Sequence, residues 1–280
     1  MVGWVVVAEQ DDTAAGIGEI LARRVPGEWR EGTFEGHAWY AFYCSAQGRE
    51  KVVPTMAAGL AEFLLDVRAR AWLRTILHRR YRGLPIDDEV AVLRAAQQEL
   101  GASVPRQRDR MQRAAGLLER FLQEHDVVVV EGIRTFLLPD IRREWEEVVD
   151  HAVDEFLEEQ EYREFVSLLR QFIASANRRW DLVHVCLNPL PFHFEDGAGQ
   201  RVGDDVLSDL TDGRTVQNGI QDDLLVSALV TLAPQRVIVH RGPLRKEASR
   251  TIQAVFEGQV SFCQDCPRCH NELTDRRFSY

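Results

Sequence analysis

The most regular spacing of apolar residues lies in the stretch 139–177, which is rich in carboxylates and contains no glycine. Steps of three and four place these residues on one face of a helix. They form two sets separated by a polar segment at 158–161, so the pattern predicts either a kinked helix or two helices that meet there. We expect both sets to be buried against neighbouring helices. The sets are Ile141, Trp145, Val148, Val149, Ala152, Val153 and Phe156, and then Tyr162, Phe165, Val166, Leu169, Phe172 and Ile173.

The chain before this stretch combines a short β-rich beginning with several helices. An apolar run at 2–8 predicts a buried strand, the helical spacing at 14–24 predicts a helix, and the aromatic run at 36–45 predicts a second strand. Helical spacing continues over 54–81, 87–100 and 105–124. The β-branched run at 126–130 predicts a buried strand or an extended connector.

Strands and helices alternate in the last hundred residues. We predict strands at 182–187, 192–194, 236–240 and 259–262, with helices at 221–232 and 244–256. This alternation indicates a small α/β layer. The expected fold class is therefore α+β and mainly α-helical, with small α/β units at both ends of the chain. We divide it into a strand–helix–strand unit (1–50), a helical region (51–178) and an α/β region with a cysteine-rich tail (179–280).

Charge and cysteine content narrow the class of protein. The formal net charge of −10 disfavours a general nucleic-acid coat, because the phosphate backbone repels an acidic surface. No apolar run is long enough to span a membrane, and the first residues lack the basic segment of a secretory signal. Five cysteines, three of them close together, indicate a reducing compartment rather than a disulfide framework. We therefore expect a cytoplasmic protein that does not contact a membrane.

Two segments carry an order of residues typical of a known family. The first is Glu131-Gly132-Ile133-Arg134-Thr135-Phe136, and the second begins at Trp145-Glu-Glu-Val-Val-Asp150 and continues to Leu169. Together they resemble the YtxC-like family, which is associated with sporulation in endospore-forming bacteria. The resemblance implies a cytosolic sporulation protein without an established biochemical activity, and it supplies no catalytic residues. We expect a non-catalytic interaction protein with a protein partner.

The strongest chemical signal is the motif Cys263-x-x-Cys266-x-x-Cys269-His270 near the end of the chain. Thiolates at this spacing can bind one metal ion from a tight turn. The motif fits a zinc site with a fourth ligand, or three corners of an iron–sulfur cluster. A redox dithiol and an inert tail are the alternatives. A metal-dependent enzyme in the C-terminal region is an alternative function.

The fourth ligand of such a site has several candidates. His270 belongs to the motif, but it directly follows Cys269, and binding of both residues to one ion would strain the backbone. Residues at the ends of predicted strands are better placed if the sheet brings them close to the motif. These candidates are His193, His240 and Cys186.

A basic run lies between 67 and 86 and contains no acidic residue. Its guanidinium groups could bind phosphates bidentately, which makes nucleic acid or another anionic partner an alternative function. We favour pairing with the acidic stretch after residue 139, because it relieves repulsion on both surfaces without a partner. The arginines are Arg68, Arg70, Arg74, Arg79, Arg80 and Arg82.

Overall fold

The computed structural model describes residues 2–9, 14–188, 192–211 and 221–270. The chain forms two compact units, Met1–Glu158 and Glu159–Tyr280. Each unit has its own sheet and its own hydrophobic core, and helices predominate, which confirms the predicted α+β class. The strand–helix–strand unit predicted for 1–50 shares one core with the helices that follow it. In the described part of the chain, no helix combines the length and the apolar character that a membrane span requires.

The N-terminal unit contains the following elements. It begins with β1 (Val2–Glu9), α1 (Ala14–Arg24), β2 (Trp29–Phe34) and β3 (His37–Cys44). Helices α2 (Ala46–Glu62), α3 (Ala69–Arg80), α4 (Ile86–Gly101) and α5 (Val104–Glu124) follow, and a π-helical turn, Phe63–Val67, joins α2 to α3. Then come β4 (Val127–Val129), the short α6 (Val130–Gly132), a second π-helical turn (Ile133–Leu137) and the first part of α7 (Pro139–Ser175).

The first sheet has the order β2-β3-β1-β4, with β1 antiparallel to β3 and parallel to β4. Side chains alternate along β1, so that Trp4 and Val6 are buried. The indole N–H of Trp4 donates to the carbonyl of Leu122 at 3.1 Å, which ties the end of α5 to the sheet. The run at 126–130 therefore contains a strand. The sequence analysis missed β2, because this edge strand is polar and its side chains are mostly exposed.

The acidic stretch forms one continuous helix, α7, so the two-helix alternative is wrong. In its first apolar set, Val148 and Phe156 are partly buried and the other residues are buried as expected. The ring centroids of Trp145 and Trp72 lie 4.4 Å apart. Its second set is only partly buried, because Phe165 and Phe172 are 49% and 53% exposed. The buried residues Val166 and Ile173 lie seven positions apart on a narrow stripe. Phe165 and Phe172 each precede one of these residues by one position. They are therefore rotated by about 100° around the helix axis and lie outside the stripe.

The C-terminal unit contains the rest of α7 and a second sheet. Its further elements are β5 (Val183–Cys186), β6 (His193–Asp196), β7 (Arg201–Val202), α8 (Asp204–Thr211), α9 (Gln221–Leu232), β8 (Val237–Val239), α10 (Lys246–Val255), β9 (Val260–Phe262) and a 3₁₀ turn (Pro267–His270). The strand order is β7-β6-β5-β8-β9. Strands β5, β8 and β9 run parallel, whereas β6 and β7 are antiparallel to their neighbours.

The two faces of the second sheet differ in chemistry. One face is apolar, and Val183, Val185 and Phe194 are buried there in the core. The register places His184 opposite Glu195, and Cys186 opposite His193, on the other face. Because parallel strands end at the same edge, the residues that follow β8 and β9 are brought to the edge where β5 ends.

The buried guanidinium of Arg110 gives a test of the N-terminal core. It donates to the Glu144 carboxylate at 2.7 Å and to the Leu100 carbonyl at 2.5 Å, and its side chain is only 8% exposed. We expect Arg110→Ala to lower the free energy of unfolding by about 3 kcal/mol, because it leaves both acceptors without this partner. Arg113 pairs with the same carboxylate but is 43% exposed. Arg113→Ala should cost about 0.5 kcal/mol. Urea unfolding followed by tryptophan fluorescence measures the free energy of unfolding of both variants. Equal losses would contradict the larger contribution that we assign to Arg110.

A close approach of two chain segments gives a second test, in the C-terminal unit. A Cβ atom added to Gly242 would overlap the side chain of Leu187, the residue that follows β5. We expect Gly242→Ala to destabilise the fold by about 1–3 kcal/mol, because the two segments must move apart. The control is Gly197→Ala, where the new methyl group would lie 3.9 Å from Leu182, an ordinary contact. Thermal unfolding compares the two variants, and the prediction fails if their melting temperatures agree.

Candidate metal centre

Two of the donor residues lie directly after parallel strands. The backbone N–H of His240 donates to the Val185 carbonyl at 2.9 Å, and that of Cys263 donates to the Val239 carbonyl at 2.8 Å. The ladders of β8 with β5 and of β9 with β8 thus extend by one residue beyond the strands. This pairing fixes the backbones of His240 and Cys263 next to each other at the carboxyl edge of the sheet.

The other two donors lie on a tight turn. The backbone N–H of Cys269 donates to the carbonyl of Cys266 at 2.9 Å, which closes the C-x-x-C segment. The backbone N–H of Arg241 donates to the sulfur of Cys269 at 3.4 Å. Such hydrogen bonds support the sulfur atom of a metal-binding cysteine from outside the coordination sphere. All five cysteines of the chain are free thiols.

The four donor atoms converge on one point. The ligand atoms of His240, Cys263, Cys266 and Cys269 all lie within 4.8 Å of one another. The sulfur of Cys269 is 3.7 Å from that of Cys266 and 3.8 Å from that of Cys263. The Nδ1 atom of His240 is 3.3 Å from the Cys266 sulfur and 3.7 Å from the Cys269 sulfur. The cluster could therefore hold a metal ion.

Each of these four separations matches that of two ligands on one small tetrahedral ion. Zinc–sulfur bonds of about 2.3 Å place two thiolates about 3.8 Å apart. With a zinc–nitrogen bond of about 2.0 Å, sulfur and nitrogen lie about 3.5 Å apart. Cys269 and His240 are buried, and Cys263 and Cys266 are partly buried. The geometry is thus that of a closed site with four protein ligands.

Electrostatics favour a neutral imidazole and oppose ionisation of all the thiols at once. Burial, followed by the positive charge of Arg268, lowers the pKa of His240, which keeps the ring free to bind a cation. Hydrogen bonding with Cys266, followed by burial, raises the pKa of Cys263 to about 11. Although burial opposes it, hydrogen bonds from the backbone of Cys269 and from Cys263 lower the pKa of Cys266. Close thiols titrate as a group, and a divalent cation allows all of them to ionise.

A second histidine supports the first from outside. The Nε2 atom of His240 lies 3.0 Å from the Nδ1 atom of His184, and the two rings stack with centroids 5.2 Å apart. Because Nδ1 of His240 faces the sulfurs, Nε2 is left for His184. Metal-binding histidines use their second nitrogen in this way, which fixes the orientation of the ring.

Three further donors form a separate group beside this cluster. The ligand atoms of Cys186, His193 and Glu195 lie within 4.8 Å of one another. Burial raises the pKa of Cys186 to about 11, so its thiol is a poor nucleophile at neutral pH. Glu195 forms an ion pair with Arg268 at 3.1 Å.

The structure thus selects among the candidates for the fourth ligand. It brings His240 to the three cysteines, and it places Cys186 and His193 in the neighbouring group. The side chain of His270 lies outside the described residues. The sequence analysis missed the residues that support these donors. Two of them, His184 and Glu195, lie two positions from Cys186 and His193 on the same strands, so alternation along β5 and β6 could have identified them.

Half of the arginines in the basic run form ion pairs within the N-terminal unit. Arg68 lies 3.7 Å from Glu131, and Arg74 lies 2.9 Å from Glu89. The guanidinium of Arg80 donates two hydrogen bonds, at 2.8 and 2.7 Å, to Asp150 in the acidic stretch. Three of the arginines therefore have carboxylate partners inside the chain. Arg79 and Arg82 are exposed. Binding of nucleic acid to this run stays a prediction.

Comparison with known proteins places the chain in a family. The model of the YtxC-like family matches residues 54–261. The chain is also similar to a protein described as "Uncharacterized protein YtxC" from Bacillus subtilis (strain 168), with 22% identity over 214 residues that cover 72% of this chain and 73% of that protein. No solved structure matches. Because the family match covers well over half of the chain, the protein belongs to the YtxC-like family.

Proposed function

We propose that the C-terminal unit binds one zinc ion through Cys263, Cys266, Cys269 and His240, and that the ion is structural. The observation that supports this proposal is the tetrahedral spacing of the four donor atoms. Three thiolates with one imidazole are a common structural zinc set. The family match ends at residue 261, so the proposal rests on this chain's own side chains.

The distances favour a single ion over an iron–sulfur cluster. In a four-iron cluster each cysteine binds a different iron, which separates the cysteine sulfurs more widely than two ligands of one ion. Here the sulfur of Cys269 lies 3.7 Å from that of Cys266 and 3.8 Å from that of Cys263. The presence of a histidine as fourth donor also disfavours a simple redox dithiol. A zinc ion would join the segment after β9 to the ends of β8 and β9, and its binding free energy would stabilise the unit.

The broader role that we propose is non-catalytic interaction with a protein partner in the cytoplasm. A site with four protein ligands leaves no position open for a substrate, which argues against catalysis by this ion. Neither the family nor the relative has an activity in its description. We further propose that this role belongs to sporulation, as the resemblance implies.

The zinc site predicts a defined metal content. Protein purified under anaerobic conditions should contain zinc, as measured by elemental analysis, and Cys266→Ser should lose the ion at this site, because a three-ligand remnant binds it far more weakly. The variant should also melt at a lower temperature, since metal binding and folding are coupled. Cys44→Ser is the matched control, because Cys44 lies at the end of β3 in the other unit.

Three outcomes separate the alternatives for this site. Zinc that is lost in Cys266→Ser and retained in Cys44→Ser supports the proposal. Iron together with inorganic sulfide would indicate a cluster instead. Metal-free protein with no change in melting temperature in Cys266→Ser would reject a metal site at these cysteines.

The sporulation role predicts a phenotype for the Bacillus subtilis relative. Deletion of its gene should lower the number of heat-resistant colonies after growth in sporulation medium, and expression of the present chain should restore part of the loss. Growth rate in rich medium is the control, because a sporulation role does not affect vegetative growth. Normal heat resistance in the deletion strain would contradict the proposed role and leave the zinc site unaffected.

A further inference from the structure

We propose that the C-terminal unit also binds a second metal ion, through Cys186, His193 and Glu195, beside the zinc site. These three side chains supply a thiolate, an imidazole and a carboxylate, which suit a borderline cation such as zinc. Three protein ligands leave a fourth position open to water or to a small anion. The second site therefore differs in kind from the closed site at Cys263, Cys266 and Cys269.

The pairing of β5 with β6 brings the three donors together. Cys186 and His193 are direct partners in the antiparallel ladder, so their side chains lie side by side on the same face. Glu195 follows two positions after His193 and therefore points to that face as well. The resulting donor atoms all lie within 4.8 Å of one another. The arrangement thus follows from strand register and not from a flexible loop.

The site contains a buried nitrogen without a partner. Among the described residues, the Nδ1 atom of His193 is inaccessible to solvent and accepts or donates no hydrogen bond. Its side chain is 12% exposed and that of Glu195 is 17% exposed, while Cys186 is buried. The three donors therefore lie in a largely dry environment. An ion bound through Nε2 of His193 would leave Nδ1 without a partner.

The carboxylate is oriented as a metal ligand would be. One oxygen of Glu195, Oε1, lies 3.4 Å from the Nε2 atom of His193. Bonds of about 2.0–2.1 Å from one tetrahedral ion would separate these two atoms by about 3.4 Å. The other oxygen, Oε2, lies 3.1 Å from Nη1 of Arg268. Carboxylates that bind metals commonly have such a partner on their outer oxygen.

Arg268 connects the two sites. It lies between Cys266 and Cys269 in the sequence, so zinc binding at these cysteines would hold its guanidinium near Glu195. In this respect the second site rests on the proposed zinc site, whereas its three donors belong to strands outside the cysteine motif. We therefore expect the second ion to bind more weakly than the first and to exchange more readily.

Metal stoichiometry tests the second site. The full chain, purified with zinc and passed through a desalting column, should hold two zinc ions, as measured by elemental analysis and by native mass spectrometry. Cys186→Ser should hold one, because the second site loses its thiolate. Cys44→Ser should hold two, since that thiol lies in the N-terminal unit. Circular dichroism shows whether each variant is folded.

A spectroscopic measurement on the unmodified chain provides the test if Cys186→Ser does not fold. Cobalt introduced at the weaker site should give a visible spectrum that shifts when azide is added, because the fourth position is open to a small anion. A closed four-ligand site should not respond. A cobalt spectrum that azide leaves unchanged would therefore overturn the second site.

The outcomes also distinguish the two sites from each other. One zinc ion in the unmodified chain, retained in Cys186→Ser and lost in Cys266→Ser, would overturn the second site and leave the structural zinc intact. One ion that is lost in Cys186→Ser and retained in Cys266→Ser would support the second site and reject the first. Two ions, of which each variant loses one, would support both.

Discussion

The register of the five-stranded sheet is the constraint on which the candidate metal centre depends. Side chains alternate between the faces, so β5 places Val183 and Val185 in the core and His184 and Cys186 on the opposite face. A shift by one residue would exchange these two pairs and place His184 and Cys186 in the apolar core instead of the valines. Burial of the apolar face thus determines where the side chains that could hold a metal ion point.

The same geometry makes the centre costly without a cation. Three cysteine sulfurs and an imidazole nitrogen lie within 4.8 Å of one another, and close negative charges repel, so ionisation of all three thiols together would require a compensating cation. The backbone N–H of Arg241 supports the sulfur of Cys269, and His184 occupies the outer nitrogen of His240. These contacts support the sulfur of Cys269 and fix the orientation of the His240 ring.

Sequence periodicity was sufficient to predict most of the helices and strands. When one face is buried, apolar residues recur every two positions along a strand and every 3.6 positions along a helix. It identified β1, α1, β3 and most of the alternation after residue 180. It failed for β2, whose polar residues form an exposed edge, and for Phe165 and Phe172, whose spacing suggested a wider buried stripe than the second core provides. An apolar pattern shows which face of a helix could be buried. The extent of that burial depends on the elements that pack against the helix.

Local sequence patterns were also insufficient to select the fourth candidate ligand of the metal centre. Spacing alone indicates that Cys263, Cys266 and Cys269 can share an ion, because the turn that joins them is local. The choice among His193, His240 and Cys186 depends on strand order, which brings β8 next to β9 and leaves β6 two strands further away. That order is a property of long-range pairing, and no local pattern encodes it.

The two units use their charged residues in different ways. In the N-terminal unit, Asp150 accepts two hydrogen bonds from Arg80 and a third from the hydroxyl of Tyr81, so a phosphate would have to displace an existing carboxylate from that guanidinium. Arg80 and Tyr81 therefore join the end of α3 to the acidic helix, whereas Arg68 and Arg74 pair with Glu131 and Glu89. In the C-terminal unit, Arg268 pairs with Glu195 between two groups of side chains that could hold a metal ion. Its charge would offset the excess of negative charge of three thiolates around a divalent ion. Among the described residues, both of these groups lie in the C-terminal unit, where the second sheet brings their side chains together.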